Sequence, residues 1–173
     1  MSRQGMPGFL REPIHRTVDR EGCQHDMAER RVMCQSLTMW EMARQADEAA
    51  PFLASIDLDH PNLKTHFYVV DVDHDEERFD SSRVSHCGGS LSAFCGMPVI
   101  GHALWDVLPR PIREEMTEFL KAVARLGKPM AESGGFLRAD GGEILYRDAV
   151  MPVRAADGHD RLLGAISFRT VPA

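Results

Sequence analysis

No stretch of this 173-residue chain reaches the roughly 18 consecutive apolar residues of a membrane-crossing helix. The opening MSRQGMPGFLREPIHRT has no continuous apolar core and no small-residue cleavage site, so no export signal is expected and the protein is expected in the cytoplasm. Positive charge is short as well: 20 Lys and Arg stand against 26 Asp and Glu, a formal net charge of −6. No basic face is then available to neutralise phosphates, and a nucleic-acid partner is not expected. Cysteine is sparse. Cys23, Cys34, Cys87 and Cys95 match neither a CxxC pair nor a zinc ribbon, and in a chain without an export signal they read as reduced thiols. Catalytic signatures are missing too. There is no GxSxG elbow, no HEXXH pair and no phosphate loop with its lysine. Without a nucleophile, base and oxyanion arrangement, an enzyme is not expected.

Hydrophobic residues make up 43% of the chain, enough for one ordinary domain with a short extension. Residues 1–24 mix Gly, Pro and Arg with isolated apolar residues and no period, which predicts a flexible segment. Residues 25–48 hold the next unit, a helix over about 26–47 in which Asp26 caps, Glu29 answers it, and Met33, Leu37 and Trp40 recur at helical spacing. Its second apolar line is Met39, Ala43 and Ala46. The body of the domain spans 49–173.

Within that body, 49–64 reads as a connection. FYVVDV at 67–72 is apolar without alternation, as in a strand covered on both faces. A second strand is expected over 78–86. Four glycines and Pro98 divide 88–109 into short helices. Pro111 near its start and Pro129 beyond its end bound the strongest helix, whose stripe is Ile112, Met116, Phe119, Leu120, Val123 and Leu126. Three strands follow at about 130–138, 143–154 and 161–171, separated by the hairpin signals Asp140-Gly141-Gly142 and Asp157-Gly158.

Two strands, short helices, one long helix and three antiparallel strands resemble the PAS fold. Two stretches reinforce the likeness: RFDSSRVSHCGGSLSAFCG with GHALWDVLP, ending in Trp105-Asp106-Val107-Leu108-Pro109, and LLGAISF at 162–168 with its glycine among apolar residues. The chain is most similar to stand-alone bacterial PAS proteins with a helical N-terminal extension. The resemblance implies an α+β fold, a five-stranded antiparallel sheet with short helices and one long helix on one face, enclosing a small pocket. It implies a sensory role exercised through ligand binding or protein contacts in trans, with an unknown signalling partner. Similar extensions pack across PAS dimers, so Met33, Leu37, Trp40 and Ala43 are the candidate homodimer interface.

The candidate pocket residues are Phe94, Trp105, Phe119, Phe136 and Tyr146, with His86 and His102 as polar anchors and Arg147 as a further one. Nothing in the residues names a cofactor, and a small molecule or haem as the functional unit stays open as the alternative. His86, Cys87, Cys95 and His102 fit no standard metal spacing, and residues 111–127 lack the histidine that haem-binding PAS domains commonly use. Cys95 stands in Phe94-Cys95-Gly96-Met97, without the asparagine and arginine of flavin-adding PAS domains, and reads as a small buried hydrophobe. Cys23, His25 and Cys34 are an incomplete zinc set. Asp71, Asp73 and Asp75 begin like a calcium loop, yet Glu76 stands where glycine is needed and Ser82 where a bidentate glutamate belongs. That segment reads as an acidic turn. Gly88-Gly89-Ser90 reads as a tight turn for want of a phosphate-loop lysine.

Overall fold

The computed structural model describes residues 9–17, 31–45, 49–73, 79–138 and 140–172. Its elements are β1 (Phe9–Thr17), α1 (Arg31–Arg44), β2 (Phe67–Asp71), β3 (Arg83–Cys87), α2 (Gly89–Cys95), α3 (Leu104–Val107), α4 (Arg110–Leu126), β4 (Met130–Leu137), β5 (Glu143–Arg154) and β6 (Asp160–Val171). Short 3-10 turns lie at Leu53–Ser55 and Phe79–Ser81. The strands form one antiparallel sheet in the order β1-β4-β5-β6-β2-β3.

The five expected strands and the short and long helices are present in the expected order, so the body has the α+β architecture of the PAS fold. A sixth strand adds to it. Residues 9–17 lie within the segment expected to be flexible, yet they pair with β4 from Phe9↔Phe136 to Thr17↔Met130. An edge strand needs a free row of backbone donors and acceptors to pair with, and β4 offers one, so the missing apolar period did not prevent pairing. The second strand also differs from expectation. Phe79–Ser81 closes as a turn, with the Ser82 amide donating to the Phe79 carbonyl, and the strand starts at Arg83. Asp26 and Glu29, the expected helix cap, lie outside the described residues, as do Cys23, His25 and the acidic residues Asp75, Glu76 and Glu77.

Both faces of the sheet are covered. On one face α2, α3 and α4 bury Tyr68 and Val70 of β2, Leu162 and Ile166 of β6, Tyr146 and Val150 of β5, and Met130 and Phe136 of β4. On the other, α1 and the 53–63 connection bury Phe67, Val69, Leu163, Ala165, Met151 and Val153. The period-2 alternation of side chains sends consecutive residues of β2 and β6 to opposite cores, which is why these strands read as unbroken apolar runs. In α4, Ile112, Met116, Phe119, Leu120 and Val123 are fully buried, whereas Leu126, expected in the same stripe, is 51% exposed because the last turn reaches past the cover of the sheet.

The α1 face has a different use from the one expected. Leu37 and Trp40 sit in the outer core, Ala43 packs against it, and Met33 lies on Ala131 and Ala149. Trp40 Nε1 donates to the Pro152 carbonyl at 2.7 Å, tying the helix to β5. These four candidate interface residues therefore form an intrachain core in this structure and present no exposed seam, because the sheet itself supplies the apolar surface that their stripe needs.

Candidate functional site

The inner face, under α2 to α4, carries the one unusual chemical grouping in the described core. Strand β5 presents Tyr146, Asp148 and Val150 on this face, and β4 presents Met130, Glu132, Gly134 and Phe136, because alternate residues share a side. Glu132 and Asp148 are direct cross-strand partners. Their side chains are buried, with residue exposures of 1% and 0%. Each accepts a phenol: Tyr68 Oη donates to Asp148 Oδ2 at 2.5 Å, and Tyr146 Oη donates to Glu132 Oε1.

Two glycines make this geometry possible. Gly164 of β6 faces Tyr68 of β2, and Gly134 of β4 faces Tyr146 of β5. Each ring lies across its glycine: a Cβ at position 164 would stand 2.0 Å from Tyr68 Cζ, and one at position 134 would stand 2.9 Å from Tyr146 Oη. Tyr68 thereby crosses β6 to reach β5. The glycine of LLGAISF thus has a packing reason.

Burial dominates the electrostatics of the cluster, because removing a carboxylate from water disfavours its charged form. Desolvation pushes Glu132 up to about 8, the Tyr146 hydroxyl pulls the other way, and the nearby Asp148 and Glu115 carboxylates push up further. Asp148 is pushed up to about 7 by burial, opposed by the Tyr68 hydroxyl and the Ala149 amide. Its Oδ1 still accepts no hydrogen bond of ordinary geometry. Both phenols are held well above their usual range, first by burial and then by the carboxylates they serve. Burial thus favours the protonated form of both carboxyls.

The expected pocket residues are only partly brought together. Phe94, Phe119, Phe136 and Tyr146 do converge on the inner face: Phe94 stacks on Phe168 at 4.0 Å between centroids and meets Phe136 edge-on at 5.7 Å. Trp105 stands outside that cluster, half-buried beneath the Arg113 guanidinium, which lies 5.4 Å from its ring and also donates to the Leu108 carbonyl. His102 is exposed, and only its backbone is engaged, its carbonyl accepting from the Val84 amide. His86 pairs with Val69, whose side chain belongs to the outer core, so His86 is on the opposite face from the aromatic cluster. Its Nε2 is buried without a hydrogen bond. Arg147 alternates with Tyr146 and Asp148 along β5 and so leaves the inner face. The two candidate histidines thus share no site.

Glu132, Asp148 and Tyr68 escaped the sequence reading. A signal for two of them existed. Counting by twos from Phe136 and Tyr146 places Glu132 and Asp148 on the same face as those aromatics, and an acid in the apolar register of a strand is an outlier.

Other candidates have structural roles. Asp71 takes a salt bridge from Arg161 at 2.5 Å and a hydrogen bond from Ser85 at 2.9 Å. Gly88 turns beneath the Lys64 and Thr65 backbone, where a side chain would collide. Among the described residues, Cys34, Cys87 and Cys95 form no disulfide. Burial raises Cys87 and pushes Cys95 up to about 12, which removes the thiolate character a reactive cysteine needs. Among the described residues, no helix is long and apolar enough to cross a membrane.

No family model and no curated protein matches this chain. Three similar solved structures contain light-oxygen-voltage domains. A domain studied with a flavin analogue is 14% identical over 65% of this chain and 81% of its own, at a TM-score of 0.41. An RNA-binding light-oxygen-voltage receptor is 14% identical over 94% of this chain and 39% of its own, at 0.46. The light-state dimer of the fungal blue-light photoreceptor Vivid is 11% identical over 77% of this chain and 92% of its own, at 0.44. At these values the ground for the fold class is this chain's own strand order, β4-β5-β6-β2-β3 with helices between β3 and β4. That order is the one expected of an α+β fold of the PAS kind.

Proposed function

We propose that this chain is a non-enzymatic sensory module that passes its state to a partner protein in trans. The observation that carries the reading is the acid–phenol cluster between sheet and helices. Burying two carboxylates costs free energy that an apolar core of the same volume would not spend, so a purely structural domain gains nothing from them. The converging Phe94, Phe136 and Phe168 supply an apolar wall beside it. That combination of apolar lining and a few polar groups suits stimulus detection.

Homodimerisation is no longer supported by the α1 stripe, which the chain uses internally. A dimer would require exchange of α1 between chains or another surface. Sedimentation at protein concentrations on the order of tens of micromolar separates these cases from a monomer.

The function is tested by native mass spectrometry of the full chain, with an absorption spectrum, followed by hydrogen exchange on adding candidate stimuli. The expected result is a bound mass or a stimulus-dependent change of exchange in α4 and the inner strands. Turnover of a substrate that disappears in Asp148→Asn would overturn the non-enzymatic reading. Indifference of the inner face to every ligand, proton or partner tried would overturn the sensory one.

A further inference from the structure

Glu132 and Asp148 occupy directly opposed positions on a buried sheet face, the arrangement in which like charges repel most. We propose that these two carboxylates, with Tyr68 and Tyr146, form a proton-binding site that converts a rise in pH through neutrality into looser packing of α4 on the sheet. The inference deepens the sensory reading and rests on it, naming the proton as the stimulus.

The titratable groups around the cluster come from several elements. Strand β2 brings Tyr68, β5 brings Tyr146 and Asp148, and β4 brings Glu132. Helix α4 adds Glu115, whose charge acts on Glu132 and Tyr146, and β3 adds Cys87, which acts on Tyr68. Strand β1 places His15 at the register position opposite Glu132. On this face β6 contributes Leu162, Gly164, Ile166 and Phe168, none of which titrates.

With protons bound, the cluster is a set of neutral hydrogen-bonded groups compatible with the apolar cover of Met116, Phe119 and Leu120. When each proton leaves to solvent, a charged carboxylate remains beneath α4, still accepting from its phenol. The second charge then meets the first across one strand pair. Relief comes from separating the carboxylates or admitting water, and either movement displaces the helix that seals the face. The phenols tune the transition: by hydrogen-bonding the charged forms they hold it near 7 to 8, against burial and repulsion.

The sign follows from linkage. Both folded-state values are raised, so the native chain keeps protons that the unfolded chain gives up in the ordinary carboxylate range. The stabilisation is complete below that range and is lost as pH rises through about 7 and about 8.

The test follows carboxyl protonation in the full chain by infrared or carbon NMR from about pH 5.5 to about pH 9, together with hydrogen exchange in α4 and denaturant unfolding. Neutral carboxylic acid signals are expected to disappear across that window while α4 exchange rises. The unfolding constant should grow by up to about tenfold per pH unit for each proton released. In the isosteric double variant Glu132→Gln with Asp148→Asn, this dependence should vanish. Should that variant fail to fold, the wild-type carboxyl signals decide alone: both groups ionised at the acidic end overturn the proposal. A slope retained by the folded double variant also overturns it, assigning the titration to another group such as His15. A flat wild-type titration removes the proton as stimulus and leaves the sensory reading standing. Proton release with no change in α4 exchange removes the coupling, and the sensory role of this core with it.

Discussion

The two faces of the sheet are built from the same strands but on different chemical terms. On the outer face, α1 lays Leu37 and Trp40 on Phe67, Val69, Met151, Val153, Leu163 and Ala165, and the tryptophan indole finds the Pro152 carbonyl. The inner face buries more aromatic and aliphatic bulk and adds two carboxylates and two phenols. An outer face of this kind maximises stability. The inner one sacrifices some of it to keep ionisable groups at fixed positions, which is the ground for the proposed proton site.

Cutting the outer face should produce the largest loss. Trp40→Ala removes a buried indole and its hydrogen bond, with an expected cost of about 3–5 kcal/mol in denaturant unfolding. That loss should be equal at mildly acidic and mildly alkaline pH, since Trp40 packs in the outer core and makes no contact with the Glu132–Asp148 cluster on the inner face. A pH-dependent loss would break the division between the faces. Next in size is Gly164→Ala, which drives a methyl into the Tyr68 ring and should cost about 1–3 kcal/mol. Because Tyr68 must move, the same variant should detach its hydroxyl from Asp148, visible as a shifted tyrosine signal in the infrared.

Tyr146→Phe sharpens the comparison further. Losing one hydrogen bond to Glu132 should cost about 1 kcal/mol where the carboxylate is charged. The removed donor favoured the charged form, so proton release from Glu132 should move to higher pH, and release at lower pH would contradict the assignment. The smallest effect belongs to the surface. Breaking Arg161–Asp71, whose side chains are 23% and 43% exposed, should change stability by at most about 1 kcal/mol and by less in high salt.

How much of this was legible beforehand depends on the range of the interaction. Strands β4, β5 and β6 and helix α4 announced themselves through local signals: hairpin glycines, proline near the helix start, apolar period. Their observed bounds fall within a residue or two of expectation. Strand β1 was invisible because pairing along a sheet edge is a backbone matter and leaves little trace in side-chain pattern. The aromatic half of the site was readable from Phe94, Phe119, Phe136 and Tyr146, since large rings at periodic positions must be buried somewhere. Its acidic half was missed although Asp148 stands two residues from Tyr146. His86 was assigned to the pocket, but a register shift in the β2–β3 pair, with no local signal in the sequence, sets it opposite Val69 on the other side.

The sequence by itself determined the order and type of the elements from α1 onward, because turn chemistry and hydrophobic period act within a few residues. It also determined that α1 carries an apolar stripe. Only the tertiary structure decided what covers that stripe, since the sheet and a second subunit offer the same kind of surface to it. And only the tertiary structure brought Glu132 beside Asp148 and laid Tyr68 over Gly164 toward a carboxylate 80 positions away in the chain. Strand order and register, which set those neighbours, arise from the packing of the whole sheet.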